Sequence, residues 1–426
     1  MQKKIIGGII LLLIAGLFVG NWVYGTILSK KIEEGIANRF KLLGDNVEVS
    51  LEEVKVNPLF SEIQLIGILV QSVDGELIAR GKEVDLDMPY SEAIRMLKSK
   101  DFEELKSFCI HVNELAIYIE GAEDQLLVNS LMLDFDGSLT KSDLKNINTV
   151  FPTQKQAVKI IAKDMSFANT PWLETLGFTP AQITQFNKVD KLSMDAEFNP
   201  NKKILRIDDL NIHSPLMDYD SNGSLKFSGD GLDGMKPKQV KSFIEFKLKE
   251  KGIEWGDPQT SGRYTLGNLA VQIEGVVDYE DSTQIIQSQR TNFLLEDLKL
   301  EYSGAKKAQL EAQTALLGIK MDQLSISRLA IQSNLADGQL RIKNSELKSS
   351  LFNADLNLEV KLDKYDHMAS QIIAGKLVVS DLVAGLQNGL STFELMTGQS
   401  LPRNGDDIII EVSGPISRPN IKGLRY

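Results

Sequence analysis

One cysteine, Cys109, and three histidines, His111, His213 and His367, stand in 426 residues. A single thiol permits no internal disulfide, and the Cys and His ligand spacing of a structural zinc site cannot be assembled. Cationic excess is missing as well. A net charge of -11 leaves no basic surface of the kind that neutralises phosphates, which argues against nucleic acid as a partner. There is no phosphate-binding Gly-x-x-x-x-Gly-Lys loop, no Gly-x-Ser-x-Gly elbow, no His-Glu-x-x-His helix and no dinucleotide fingerprint.

The scarce reactive residues also fall in poor company. Cys109 and His111 are two apart, so on a strand they share a side. A nucleophile and base need a third group to orient them, and "SFCIHVNEL" offers none, so a small thiol beside an exposed imidazole is the plainer reading. The acidic stretches "DFDG" (134–137), "DYDSNG" (218–223) and "GDGLDG" (229–234) lack the ligand order of an EF-hand. Their Asp, Asn and Gly read as turn chemistry. The expectation is a chain that is not an enzyme, with no cofactor and no metal.

What the sequence does have is one long hydrophobic run. Ile5 to Ile27 is nearly unbroken, with Lys3 and Lys4 before it and Trp22 and Tyr24 near its far end. At about 1.5 Å per residue such a run crosses the hydrocarbon core as a helix. Ile5, Leu12, Leu17 and Trp22 are its anchor residues, and the lysines favour an inside N-terminus. A cleaved signal peptide is the rival reading. The expected location is therefore a bacterial inner membrane, single-pass, with the bulk of the chain in the periplasm.

Beyond it, segment 28–42 has helical spacing and 47–70 changes to a period of two. "ELIARGKEVDLDM" reads as two strands around Arg80-Gly81, and "YSEAIRMLKSKDFEEL" (90–105) as a short helix. Leu115, Ile117 and Ile119 then alternate cleanly. "TQKQAVKIIAKDM" and "TPWLETLGFTPAQITQF" carry helical spacing, which predicts a small helical insertion over 151–190. Strand patterns return afterwards. Leu269, Val271 and Ile273 share one face, as do Leu356, Leu358 and Val360. "SDLVAGLQNGLSTFELMTG" reads as an amphipathic helix capped by Asp381 and stopped by Gly398, followed by a last strand or two.

One layout occurs twice. "LRIDDLNIHSPLMDYD" (205–220) and "LRIKNSELKSSLFNAD" (340–355) share Leu-Arg-Ile, Ser-x-Leu and a closing Asp without a gap. A fainter echo joins "DFDGSL" to "DYDSNGSL". Each unit reads as a strand pair with one apolar side, which must stack on its neighbours to shelter that side.

The order of one membrane helix, two strands, a short amphipathic helix and a strand resembles the N-terminal module of the AsmA-like superfamily of envelope proteins, which includes translocation and assembly module B. The run "DGQLRIKNSELKSSLFNADLNLEVKLD" with "DDIIIEVSGPISRPNIKG" is similar to that superfamily's repeats, and its ending resembles type II secretion system protein N. The resemblance covers 28–150 and 320–426. It implies a mainly β chain with short helices, forming an elongated, curved antiparallel β-groove (β-taco-like) behind an N-terminal transmembrane helix. It further implies an apolar lining that takes phospholipid acyl chains and serves phospholipid transport, cell-envelope homeostasis or outer membrane biogenesis, with no catalytic residues.

The expected organisation is thus a cytoplasmic end and membrane helix at 1–27, a stalk and β module at 28–150, the helical insertion at 151–190 and a repeated β-hairpin groove at 191–426. Leu115, Ile117, Ile119, Leu269, Val271, Ile273, Leu356, Leu358 and Val360 are the candidate lipid-facing residues. Acyl chains and the inner membrane are the expected partners, together with envelope or secretion proteins. A non-enzymatic scaffold of a type II-like secretion or outer-membrane assembly machine, its sheet faces filled by its own side chains, gives the same alternation.

Overall fold

The computed structural model describes residues 29–30, 47–57, 62–72, 74–88, 104–118, 125–146, 149–167, 180–249, 253–257, 262–280, 286–314, 323–363 and 367–423. The described chain is mainly strand, in one large antiparallel sheet with a few short helices. The anchor residues Ile5, Leu12, Leu17 and Trp22, the segment 89–103 and Ile119 lie outside the described residues. No helix among the described residues is long and apolar enough to cross a membrane.

Two compact units divide the chain. Unit 1 comprises 1–169, 187–209 and 228–235. It contains β1 (Val47–Ser50), β2 (Glu53–Asn57), β3 (Glu62–Ser72), β4 (Leu77–Asp87), β5 (Glu104–Tyr118), β6 (Gln125–Thr140), helix α1 (Lys141–Asn146), β7 (Gln156–Phe167) and β8 (Lys188–Asn199). β1 and β2 both pair with β3, and from β3 to β8 each strand pairs antiparallel with the next.

A feature of these strands governs everything above it. Pairing skips Gly67 and Lys82 between Ile66↔Glu83 and Ile68↔Gly81, and the same row skips Glu114, Asn129, Asp164 and Asp190 in the strands that follow. Gly67, Glu114 and Asp164, on every second strand, are left-handed with φ of 65°, 51° and 50°. At this row the alternation changes phase. Val112-Asn113-Glu114-Leu115, Val128-Asn129-Ser130-Leu131, Ala162-Lys163-Asp164-Met165 and Val189-Asp190-Lys191-Leu192 each put two polar residues between two apolar ones. In β4 the same step reads Gly81-Lys82-Glu83-Val84, and Leu51-Glu52-Glu53-Val54 bridges β1 and β2.

A strand with strict period two would send Leu115 to the side opposite Val112. The two-residue step returns it to the same side. Because every strand carries the step at the same row, the register sums stay constant across it and the apolar face continues unbroken. Such irregular positions bend a strand, so the row is a crease. Its polar residues stabilise one another, with Lys82 paired to Glu114 and Asn129 Nδ2 donating to Asp164 Oδ2 at 3.4 Å.

Unit 2 comprises 170–186, 210–227 and 236–426. β9 (Ile204–His213) runs into it, followed by β10 (Met217–Ser228), β11 (Lys236–Leu248), β12 (Ile253–Asp257), β13 (Gly262–Leu266), β14 (Asn268–Asp278) and β15 (Ile286–Tyr302). β16 (Gln323–Ala336), β17 (Gln339–Ser349), β18 (Asn353–Lys361), β19 (Gln371–Ser380), β20 (Arg403–Asn404), β21 (Asp407–Pro415) and β22 (Asn420–Ile421) complete it. Its helices are α2 (Pro180–Phe186), α3 (Gly304–Thr314) and α4 (Ala384–Thr397). A second, shorter crease passes through Gly267, Asp297 (φ 54°) and Ser327, in the steps Leu266-Gly267-Asn268-Leu269, Leu295-Glu296-Asp297-Leu298 and Ile326-Ser327-Arg328-Leu329.

The duplicated layout folds as two hairpins of the same construction. Ser214 Oγ accepts from the amides of Leu216 and Met217 and donates to Met217 O at 3.2 Å. Ser349 Oγ accepts from Leu351 and Phe352 and donates to Phe352 O at 2.6 Å. The shared Ser-x-Leu is therefore a hydroxyl-closed turn.

Four expectations are corrected. "TQKQAVKIIAKDM" is strand β7, not helix; the end of the second segment is helix α2, from Pro180, but 156–167 belong to the sheet. Its crease step places Val158, Ile161, Ala162 and Met165 at helical intervals, which imitates a helix of period 3.6. "ELIARGKEVDLDM" is one strand, β4, because its Gly-Lys-Glu-Val is a crease step and not a turn. "DFDG" and "DYDSNG" lie inside β6 and β10 rather than in turns. Asp381 does not cap α4; the N-cap position is Val383, and Asp381 accepts from Asn353 Nδ2 at 2.7 Å. Gly398 ends α4 in the left-handed conformation, φ 66°, as the sequence leads one to expect.

Candidate functional site

The registers of unit 2 bring the predicted apolar residues together. Leu269, Leu295, Leu329, Leu347, Ala354, Val379 and Ile408 form one row across β14, β15, β16, β17, β18, β19 and β21. Phe246, Val271, Phe293 and Ile331 form the next. Ile273 and Leu358 share a third through Thr291, Ser333 and Ile342, continued by Gly375 and Val412. Thus Leu269, Val271, Ile273, Leu356, Leu358 and Val360, read from two distant segments, share one face.

These rows carry no charged side chain. Ionic groups lie on the other side, where Arg328 bridges Glu296 at 2.7 Å and also pairs with Glu346, and Arg341 meets Glu359 at 2.9 Å. The face is nevertheless incompletely covered. Val360 and Ile408 are buried, at 3% exposure each, while Leu269, Val271, Ile273, Leu356 and Leu358 remain half-buried.

In unit 1, Leu115 lies in a row with Ile68, Gly81, Val128, Met165 and Val189. Ile117 pairs with Ala79 and Leu126. Both candidates are half-buried on the apolar face. Toward β2 the crease closes on itself: Val54, Ile63, Leu65 and Val84 are buried, and Leu51 and Ile68 from beyond the crease pack against them. That end of unit 1 has a filled core. The crease leaves one trace in the sequence, an apolar-polar-polar-apolar step repeated in strand after strand, which a reading by alternation or helical spacing takes for a turn or a helix.

Three surface hollows in unit 2, of about 480, 420 and 270 Å³, are dished into the polar side. Lys343, Asn357, Lys376 and Glu411 edge the first, and Lys241, Glu274 and Arg290 the second. Residues of the apolar rows also line them, Ile342, Leu358, Gly375 and Val412 the first and Phe246, Val271 and Phe293 the third, so the strands that carry the rows form their floor.

Cys109 Sγ lies 3.3 Å from His111 Nε2, on the shared side expected of them. Burial, with the Asp134 and Asp87 carboxylates, pushes the thiol pKa up, which is the opposite of nucleophile activation. Among the described residues no group of three or more His, Cys, Asp or Glu side chains is arranged to hold a metal ion.

A cluster around Asp218 bears on stability. Asp218 Oδ1 lies 2.8 Å from His213 Nδ1 and 3.1 Å from Lys249 Nζ. Burial alone would raise its pKa, but these two hydrogen bonds and charges outweigh it and hold the carboxyl below its ordinary value. A depressed folded value means that the unfolded chain binds the proton first, so the contribution is complete above the unfolded value of about 3.9 and is lost as pH falls through the folded one. The unfolding midpoints of the wild type and Asp218→Asn should therefore converge below about pH 4, as thermal melts across pH would read.

No family model, curated protein or solved structure matches the chain.

Proposed function

We propose that the protein is a membrane-anchored, periplasmic lipid-binding protein, in which the creased apolar faces act as open troughs for the acyl chains of phospholipids moving between envelope membranes. The observation that carries this reading is a set of apolar rows free of charged side chains in unit 2, on which Leu269, Val271, Ile273, Leu356 and Leu358 stay half-buried. Each methylene sheltered there contributes about 0.8 kcal/mol, so two acyl chains bind without a polar anchor. Resemblance to AsmA-like proteins supports the same conclusion.

Full-length protein purified in mild detergent should carry phospholipid into mass spectrometry of its extract. A photoreactive residue at position 358 should crosslink to it. Leu358→Asp sets a carboxylate among Ile342, Gly375 and Val412 and should lower bound phospholipid about tenfold with the fold retained. An extract without phospholipid and no crosslink would refute the reading. The filled end of unit 1 favours a second role there, as a scaffold for envelope or secretion proteins. The β1–β2 edge, paired with β3 on one side, offers a strand for them to extend.

A further inference from the structure

One part of the unit 2 face breaks its apolar pattern. Ser242 pairs with Gly275, and Gly275 with Gln289. In the adjoining row Thr291 pairs with Ser333 on one side and with Ile273 on the other. Ser242, Gln289, Thr291 and Ser333 are all uncharged and half-buried, and Gln289 Nε2 donates to Thr291 Oγ1 at 3.2 Å. Gly275 forms the floor between them. A Cβ there would approach Ser288 O to 3.2 Å, so the glycine keeps this floor low.

A polar mouth open to solvent would account for such residues if the polarity simply increased toward the strand ends. It does not. On one side lies the row Phe246, Val271 and Phe293, and on the other Val240 pairs with Val277. Apolar rows therefore bracket the polar residues along the strands, about 7 Å away on either side at two residues per row. The hydrogen-bonding groups are an island within the lining.

We infer that this island is a binding site for the uncharged linkage region of a glycerolipid, with its ester carbonyls over Gly275 and acyl chains over Val271 and Phe293. This rests on the proposed trough. Charge decides the chemical class. The bracketing rows hold no Lys, Arg or His to offset a phosphate or a carboxylate, and burying an unpaired anion is costly. Hydroxyl and amide groups both donate and accept, and so match esters and alcohols. The charged headgroup then projects away from the island toward water.

The test uses purified full-length protein loaded with a fluorescent alkyl probe, displaced either by diacylglycerol or by a long-chain alkane. Gln289→Leu/Thr291→Val/Ser333→Ala removes hydrogen bonding while keeping volume close to that of the native side chains. The wild type should prefer diacylglycerol to alkane, and the variant should bind diacylglycerol about tenfold more weakly with alkane binding and thermal midpoint unchanged. Equal loss for both competitors, or no loss for either, overturns the island as a linkage site. Failure of the wild type to take up the alkyl probe at all refutes the trough itself, and the inference falls with it.

Discussion

Leu65→Ala should lower the stability of unit 1 by about 2–5 kcal/mol, whereas Leu329→Ala in unit 2 should cost less than about 1.5 kcal/mol. Both delete the same atoms from an apolar sheet face. They differ in what surrounds them. Leu65 is 5% exposed and packed among Val54, Ile63 and Val84, so its removal leaves a cavity that the neighbours cannot close. Leu329 sits between Leu295 and Leu347 and remains half-buried, so it has less transfer energy to lose and opens no enclosed void. Chemical unfolding followed by a probe in each unit would separate the two. Comparable costs would mean that the unit 2 face is a packed core, and the trough reading would have to be abandoned.

The same contrast marks how far the sequence could be read. Alternation at Leu269, Val271 and Ile273 and at Leu356, Leu358 and Val360 is a local signal, and it located the residues that the ladder later joins. The Ser-x-Leu duplication found two hairpins for a similar reason, since a hydroxyl-closed turn is written within four residues. Reading failed where the pattern changed phase inside a strand. In β7 the step Ala162-Lys163-Asp164-Met165 lends the strand a helical interval, and in β4 Gly81-Lys82-Glu83-Val84 resembles a turn. Neither segment alone reveals that its polar pair lies beside those of its neighbours. The crease exists only in the register, which is a property of several strands together. The polar island is hidden in the same way: Ser242 and Ser333 are far apart in sequence and are brought into adjoining rows of one face only by the pairing of β14 and β15 between them.

Deleting Ser130 should leave unit 1 folded and cost about 1–3 kcal/mol. The deletion shortens the β6 step to Val128-Asn129-Leu131, in which plain alternation already puts Leu131 on the side of Val128. Leu131, Leu133 and Phe135 therefore stay with Leu126 and Val128, and Phe135 keeps its packing on Phe108, 5.4 Å between ring centroids. The neighbouring strands keep their extra residue, so Glu114 in β5 and Asp164 in β7 each become a bulge with two residues against one. The cost is that of losing a matched irregularity, not of turning a face inside out. Ser130→Ala keeps the residue count and should cost less than about 1 kcal/mol. Circular dichroism and thermal melts of the two variants separate the step from the side chain. A deletion variant that does not fold would show that the neighbours impose the creased path on β6, and that no single strand can cross the row straight. The crease would then be a property of the sheet as a whole, fixed by all of its strands together.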